Sequence, residues 1–181
     1  MLSFLKSKPK LKELIPNNYV DIHSHLLPGI DDGAKTLEDT QFLLEEMKQL
    51  GFTKIITTPH TMNNVWDNTP STIQNALSSV ELELKLPFNI ETASEYLLDH
   101  TIIEKAKKKE LLTLKDNFVL VELSYLNAPI QLYDFLYQLQ LSGYQPVLAH
   151  PERYSYFHLN KKEYKNLKKA GCLFQLNILA T

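Results

Sequence analysis

Apolar residues along the chain alternate between two periodicities, one typical of strands and one typical of amphipathic helices. Residues 19–23 predict a first strand, and Thr36 predicts the N-cap of a helix whose leucines recur at helical spacing as far as Gly51. The same alternation continues to the end of the chain. It predicts strands over 52–58, 88–94, 118–121, 147–149 and 172–176, and helices over 69–84, 101–109 and 129–141. Asn160 with Glu163 predicts the capped start of one more helix.

Six strands separated by helices predict right-handed βαβ units and one parallel sheet. Residues 118–121 are apolar throughout, as expected for a parallel strand covered on both faces. An open sheet and a barrel both fit this alternation. The 181 residues are enough for one domain, which we assign to residues 19–181, preceded by a basic arm over residues 1–18.

The composition excludes several classes of protein. Nineteen Lys and Arg against 21 Asp and Glu give a formal charge of −2, which argues against a nucleic-acid partner. The short basic run over 105–109 is typical of a solvated helix end. No stretch reaches the roughly 20 apolar residues of a transmembrane segment. The single cysteine, Cys172, cannot form an intrachain disulfide, so we expect a cytoplasmic protein.

Side chains that can bind metals recur where the predicted strands end. Because the carboxyl ends of parallel strands meet at one face, we expect these side chains to lie close together. Each of them alone has an ordinary structural interpretation, as has each of the remaining histidines, His100 and His158. Their recurrence favours a centre of two or three metal ions, and imidazole with carboxylate favours Mn²⁺, Fe²⁺ or Zn²⁺. The candidate ligands are His23, His25, Asp32, His60, Glu95, Glu122 and His150.

Arg153 adds a candidate phosphate-binding group three residues after His150. Its planar guanidinium matches phosphate oxygens, although a surface salt bridge is the alternative. The five glycines lack P-loop spacing, and Ile178 occupies the position where a cysteine phosphatase built on Cys172 would need arginine. A Gly-x-Ser-x-Gly elbow is also missing from the sequence. Water activated by metal is then the remaining nucleophile for phosphoryl hydrolysis.

Six short motifs occur in order: Asp-Ile-His-Ser-His, Gly-Ile-Asp-Asp-Gly, Thr-Thr-Pro-His, Ser-Glu, Val-Glu-Leu and Leu-Ala-His-Pro-Glu-Arg. Over residues 19–177 they resemble the polymerase-and-histidinol-phosphatase (PHP) superfamily. Within it they are most similar to the manganese-dependent protein-tyrosine phosphatases of bacterial capsule and exopolysaccharide operons. The resemblance implies an α/β fold, a distorted (β/α)7 PHP-type TIM-like barrel. Its C-terminal part is expected to be missing from this chain, because the family pattern continues past Thr181 to an Asp-x-His pair and a further Arg.

The resemblance also implies functions for the candidate residues. Arg153 and Asp32 would be catalytic, with Arg153 on the phosphoryl group. The substrate would be the phosphotyrosine tail of a cognate bacterial tyrosine kinase, and the reaction would regulate capsule synthesis. The resemblance implies three manganese ions. The first would be held by His23, His25 and Glu95, the second by Glu95, Glu122 and His150, and the third by Asp32 with His60.

Three alternatives remain open. The first is a phosphatase of histidinol phosphate or another small phosphomonoester on the same scaffold. The second is a truncated, non-catalytic module that binds phosphotyrosine. An amidohydrolase ranks lower, because Glu122 stands where that class usually has a modified lysine. An open barrel edge would also predict self-association into a homo-oligomer.

Overall fold

Parallel strands alternate with helices in the computed structural model, which describes residues 10–16 and 18–178. One sheet has three strands, in the order β1 (Tyr19–Asp21), β2 (Phe52–Thr57) and β4 (Asn89–Thr92). The other has five, in the order β3 (His60–Thr61), β5 (Glu95–Leu97), β6 (Phe118–Glu122), β7 (Gln145–Ala149) and β8 (Leu173–Gln175). All neighbouring strands within the two sheets are parallel. The predicted mixed α/β class is confirmed, whereas the hydrogen-bonded sheets do not form a closed barrel.

The prediction of a single sheet is wrong, because two of the predicted strands are each interrupted. β2 ends before Pro59, which lacks a backbone N–H, and the chain resumes as β3 at His60. The strand predicted over 88–94 likewise stops at Thr92 and resumes as β5 at Glu95. Hydrogen bonds still cross the interruption, since Ala93 N donates to Thr57 O at 2.9 Å and Glu95 N donates to Pro59 O at 3.1 Å.

Helices alternate with the strands, and five of them lie at the predicted places. The helices are α1 (Leu11–Leu14), α2 (Leu37–Leu50), α3 (Pro70–Glu83), α4 (His100–Lys107), α5 (Leu132–Leu141), α6 (Ser155–His158) and α7 (Lys161–Lys169), with a 3₁₀ turn at Pro151–Arg153. The two short ones, α1 and α6, were not predicted. Of the predicted basic arm, α1 lies within the described residues, and residues 1–9 and 17 lie outside them. Within the described ranges, every helix is too short or too polar to cross a bilayer.

The helix ends test the capping predictions. At α2, the Thr36 hydroxyl accepts from Asp39 N, and Gly51 ends the helix with a left-handed φ of 102°. Both features confirm the prediction. At α7 the prediction is wrong, because the Asn160 side chain makes no capping hydrogen bond. The Glu163 carboxylate instead accepts from the Tyr133 hydroxyl.

β6 lies in the middle of the core and is buried on both faces, as its apolar run predicts. Val119 and Val121 pack in one cluster of buried side chains, and Leu120 packs in another. The residue after β6 is tied to the segment after β7, since Leu123 N donates to the hydroxyl of the fully buried Tyr154 at 2.9 Å. This bond fixes the carboxyl ends of two central strands relative to each other.

Replacing Tyr154 with Phe should lower the free energy of unfolding by about 1–2 kcal/mol, because the buried Leu123 N–H loses its acceptor. Urea denaturation followed by circular dichroism measures this. Tyr137→Phe is the matched control, since Tyr137 is 61% exposed and its loss of a hydroxyl should change the stability by less than about 0.5 kcal/mol. Equal stability of the Tyr154→Phe variant and the wild type would contradict the assigned contribution.

Candidate metal centre

The carboxyl ends of the strands deliver the predicted ligands to one cavity of about 460 Å³. His23 and His25 follow β1, and His150 follows β7. The two strand interruptions place His60 and Glu95 at the first positions of β3 and β5, where they are register partners. The cavity is lined by seven of the predicted site residues: His23, His25, Asp32, His60, Glu122, His150 and Arg153. The rest of its wall is formed by Met62, Val65, Trp66, Tyr125 and Asn177.

Glu95 is fully buried at the centre of this cluster and contacts four imidazoles. Its Oε2 lies 3.1 Å from His23 Nε2, 3.3 Å from His25 Nε2 and 3.3 Å from His60 Nδ1. Its Oε1 lies 2.9 Å from His150 Nε2. Burial alone would raise the pKa of Glu95, but the hydrogen bonds with His150, His23 and His25 hold it far below its usual range. Glu95 is therefore a carboxylate with both oxygens directed at possible metal ligands.

His60 lies between two further carboxylates. Its Nδ1 is 2.8 Å from Glu122 Oε1, and its Nε2 is 3.5 Å from Asp32 Oδ1. Burial would lower the pKa of His60, but the hydrogen bond and charge of Glu122 raise it above its ordinary value. Glu122 is buried whereas Asp32 is exposed, so the ligand set extends from the protein interior to the mouth of the cavity.

The unpaired polar atoms of the cluster fit metal cations. Glu95 Oε2, Glu122 Oε1 and His60 Nδ1 are buried and lack a hydrogen bond of good geometry within the described part of the chain, although His60 Nδ1 lies 3.3 Å from Glu95 Oε2 and 2.8 Å from Glu122 Oε1. Buried carboxylate oxygens without donors are costly unless a cation neutralises them. Three groups have ligand atoms within 4.8 Å of one another: His23, His25 and Glu95; His25, Asp32 and His60; and His60, Glu95 and Glu122.

The group of His23, His25 and Glu95 matches one ion of the three-ion partition that the resemblance implies, and the other two groups differ from it. His60 joins Glu122 and Glu95 as well as Asp32. His150 contacts Glu95 at 2.9 Å, and it is in none of the three groups found among the described residues. Its Nδ1 is buried and has no hydrogen-bond partner among those residues. His100 and His158 lie outside the cavity, at the first residue of α4 and the last residue of α6.

Asp31, the first aspartate of the Gly-Ile-Asp-Asp-Gly motif, is a supporting residue that was not among the candidate ligands. Its Oδ2 lies 2.7 Å from His25 Nδ1 and accepts from His60 N at 3.0 Å, and its Oδ1 accepts from Gly33 N at 2.9 Å. A carboxylate on Nδ1 directs the other imidazole nitrogen toward the cluster. Burial would lower the pKa of His25, but the hydrogen bonds to Asp31 and Glu95 outweigh it and raise the pKa to about 10.

Gln175 of β8 is a second supporting residue, and sequence reasoning missed it. Its Oε1 lies 2.7 Å from His23 Nδ1 and accepts from His150 N at 3.2 Å. Because an amide oxygen only accepts, His23 carries a hydrogen on Nδ1, and its Nε2 faces Glu95. An isolated glutamine in a strand carries no recognisable pattern, so only the fold reveals its function.

Arg153 reaches the cavity through an unusual backbone at His150. His150 has a left-handed φ of 33°, which is rare for a residue with a side chain and clusters at functional sites. Arg153 N then donates to His150 O at 2.9 Å. The alternative of a surface salt bridge is not observed among the described residues, whose ion pairs do not include Arg153. The guanidinium carbon lies 4.8 Å from the centre of the Tyr125 ring.

Comparison with known proteins identifies the family. A family model described as capsular polysaccharide synthesis, CpsB/CapC, matches residues 19–181. The chain belongs to the CpsB/CapC family. This confirms the family that the motifs predicted, and the metal-binding residues described above all lie within the matched range.

Relatives in this family are named tyrosine-protein phosphatases. YwqE of Bacillus subtilis (strain 168) is 31% identical over 161 residues, which cover 87% of this chain and 63% of YwqE. CpsB of Streptococcus pneumoniae is 32% identical over 162 residues, which cover 87% of this chain and 67% of CpsB. The chain thus spans about two thirds of the length of these relatives.

A solved structure has the same architecture. It comes from a study of YwqE and CpsB as metal-dependent tyrosine phosphatases and superposes with a TM-score of 0.80 at 31% identity. The match covers 87% of this chain and 66% of that one. The mixed α/β fold with parallel strands is therefore shared with proteins described as metal-dependent.

Gly33→Ala should weaken metal binding by about 10- to 100-fold, the usual effect of disturbing the support of a ligand. A Cβ at Gly33 would lie 2.2 Å from His25 O and 2.4 Å from His25 Cβ, so the His25 imidazole must move from Glu95. Calorimetric titration with Mn²⁺ or Zn²⁺ measures the affinity. Gly51→Ala is the control, because a Cβ there has nothing within 4 Å. That variant should lose only stability, and wild-type metal affinity in Gly33→Ala would refute the argument.

Proposed function

We propose that this site is a centre of two or three manganese ions that hydrolyses phosphotyrosine esters of proteins. The observation that carries the proposal is the convergence of six candidate metal ligands and Arg153 at one cavity, with the seventh candidate ligand, Glu95, buried in contact with four of them. Mixed imidazole and carboxylate ligands fit Mn²⁺, with Fe²⁺ or Zn²⁺ as alternatives. The names of the relatives, tyrosine-protein phosphatases, support this class of substrate.

Bound divalent ions would supply a nucleophilic water at neutral pH and offset negative charge on the phosphoryl oxygens. Glu95 would hold two ions together, since one of its oxygens faces His23 and His25 and the other faces His150. Glu122 and His60 would complete the buried side of the centre. Asp32 would hold an ion at the mouth of the cavity, where its exposed carboxylate can also accept a proton from the attacking water.

Arg153 would bind the equatorial oxygens of the phosphoryl group. Its guanidinium is exposed and lies against the Tyr125 ring, which limits its motion while leaving its N–H donors available. Because a phenol has a pKa of about 10, the tyrosine leaves more readily than an aliphatic alcohol and needs little acid assistance. Orientation and charge stabilisation would therefore account for most of the catalysis.

The same proposal includes the protein substrate, the barrel fold and the cellular location of this protein. The phosphotyrosine would lie in the tail of a cognate bacterial tyrosine kinase, with capsular or exopolysaccharide synthesis under its control. The edge strands β1 and β8 both line one groove of about 450 Å³, and this proximity of the two sheets supports the distorted (β/α)7 barrel. The same free edges could mediate homo-oligomerisation. The buried free thiol of Cys172 supports a cytoplasmic location.

Glu95→Gln should release metal and lower phosphate release from a phosphotyrosyl peptide by at least about 100-fold, because four imidazoles lose their shared carboxylate. Elemental analysis after manganese loading and gel filtration gives the metal content per chain, and a phosphate assay gives the rate. Glu91→Gln is the control, since Glu91 pairs with Lys54 on the exposed face of β4 and should leave both quantities unchanged.

Three results would overturn the proposal in distinguishable ways. Faster hydrolysis of histidinol phosphate than of the phosphotyrosyl peptide would favour the small-phosphomonoester phosphatase. Tight peptide binding without turnover at saturating manganese would favour a non-catalytic binding module. Fewer than two ions per chain in the loaded wild type would refute the multinuclear centre.

A further inference from the structure

Two aromatic side chains border the cavity from opposite parts of the sequence. Trp66, the single tryptophan of the chain, lies in the loop after β3, and Tyr125 lies in the loop after β6. Both line the same cavity as the candidate metal ligands and Arg153. Trp66 is half-buried, and Tyr125 is 45% exposed. The proposed hydrolysis gives Trp66 no function and uses Tyr125 only as a support for Arg153, so neither ring has an assigned contact with the substrate.

The Trp66 ring is fixed directly beside the ligand cluster. It stacks on the His60 imidazole with a distance of 4.7 Å between ring centres and an angle of 13°. Backbone hydrogen bonds in both directions pair Trp66 with Met62, at 2.8 and 3.0 Å. Below this turn, the buried Asn68 side chain donates to Ile30 O and His60 O, both at 2.8 Å. The indole is thus part of a braced turn and is one stacking distance from a candidate ligand.

The Tyr125 ring is fixed on the phosphate-binding side. Arg153 lies over one part of it, and the ring centre is 5.8 Å from that of His150 in a stacked arrangement. Its hydroxyl is 3.4 Å from His150 Nε2. Tyr125 therefore touches both the residue that would bind the phosphoryl group and a member of the metal-binding cluster.

We propose that Trp66 and Tyr125 contact the aromatic ring of the substrate and thereby select aryl over alkyl phosphomonoesters. This inference rests on the proposed function for the identity of the bond that is cleaved. In an aryl ester the aromatic ring is bonded directly to the ester oxygen. When Arg153 and the ligand cluster hold the phosphoryl group, that ring lies at the cavity wall beside Trp66 and Tyr125. Ring-to-ring contacts there would favour an aryl group by about three- to tenfold each. A serine or histidinol ester has only an aliphatic chain at this position.

The first test is a binding measurement that requires no turnover. The manganese-loaded chain is titrated with phenylphosphonate and with propylphosphonate, which share the phosphonate group and differ in the ring. Calorimetry gives both affinities, and the emission of Trp66 reports the ring directly because the chain has no other tryptophan. Phenylphosphonate should bind at least about fivefold more tightly and change the emission, whereas propylphosphonate should leave the emission nearly unchanged. Equal affinities for the two compounds would overturn the inference.

The second test compares aliphatic and aromatic replacements at each position. Trp66→Leu and Tyr125→Leu should each lower the preference for phenylphosphonate by about three- to tenfold, and Trp66→Phe and Tyr125→Phe should largely retain it. Tyr137→Leu, on the exposed face of α5, is the control and should keep the wild-type preference. Metal content is measured for each variant, because Trp66 also packs on His60. If Trp66→Leu loses metal, the Trp66→Phe and Tyr125→Leu variants decide.

The outcomes separate this inference from the proposed function. With phosphotyrosyl and phosphoseryl peptides of one sequence, the Leu variants should reduce the preference for the phosphotyrosyl peptide, measured as the ratio of the two kcat/KM values, whereas the Phe variants should retain it. Hydrolysis of phosphotyrosine with an unaltered preference in both Leu variants refutes the aromatic contact while the proposed function stands. A strong preference for phenylphosphonate without hydrolysis of any ester refutes the proposed function, while the aromatic contact stands.

Discussion

The structure of the site depends on one fully buried carboxylate, that of Glu95, which contacts four imidazoles. An ionised carboxylate without water is costly unless positive charge compensates it, whether from protonated histidines or from bound cations. The interruptions in the two strands serve this arrangement. Because β3 begins at His60 and β5 begins at Glu95, the two residues become register partners just beyond the carboxyl ends of β2 and β4. If β2 continued through residue 59, the strand would lack a backbone hydrogen-bond donor there, because proline has no N–H.

The precision of the cluster comes from residues that do not face its centre. Asp31 fixes His25 through Nδ1, and Gln175 fixes His23 through Nδ1 while also accepting from the backbone of His150. Each contact leaves an Nε2 directed at Glu95. The supports come from both extremes of the described domain, the turn after β1 and the last strand, β8. The ligand geometry is consequently a property of the whole fold, and the local loops alone would not define it.

Local patterns explain what the sequence could predict. Thr36 and Gly51 bound α2 through contacts within one helical turn, and the strand ends locate the ligands because parallel strands share one carboxyl edge. The features that the sequence did not predict depend on contacts between residues far apart in the chain. Asn160 occupies the N-cap position of α7 without a capping hydrogen bond from its side chain, and the Glu163 carboxylate accepts instead from Tyr133, thirty residues away. Gln175 contacts a histidine 152 residues distant, and the stacking of Trp66 on His60 depends on a turn that no periodicity predicts.

The left-handed backbone of His150 connects the candidate metal ligands with Arg153, the candidate phosphate-binding residue. Such a conformation costs about 1–3 kcal/mol and persists only where surrounding contacts impose it. Those contacts are present, because Tyr154 is fully buried and its hydroxyl accepts from Leu123 N after β6. The sharp change of direction after β7 lets four consecutive residues present the imidazole of His150 to Glu95 and the guanidinium of Arg153 to the cavity mouth. A regular continuation of β7 would alternate these side chains along an extended strand and separate the two groups.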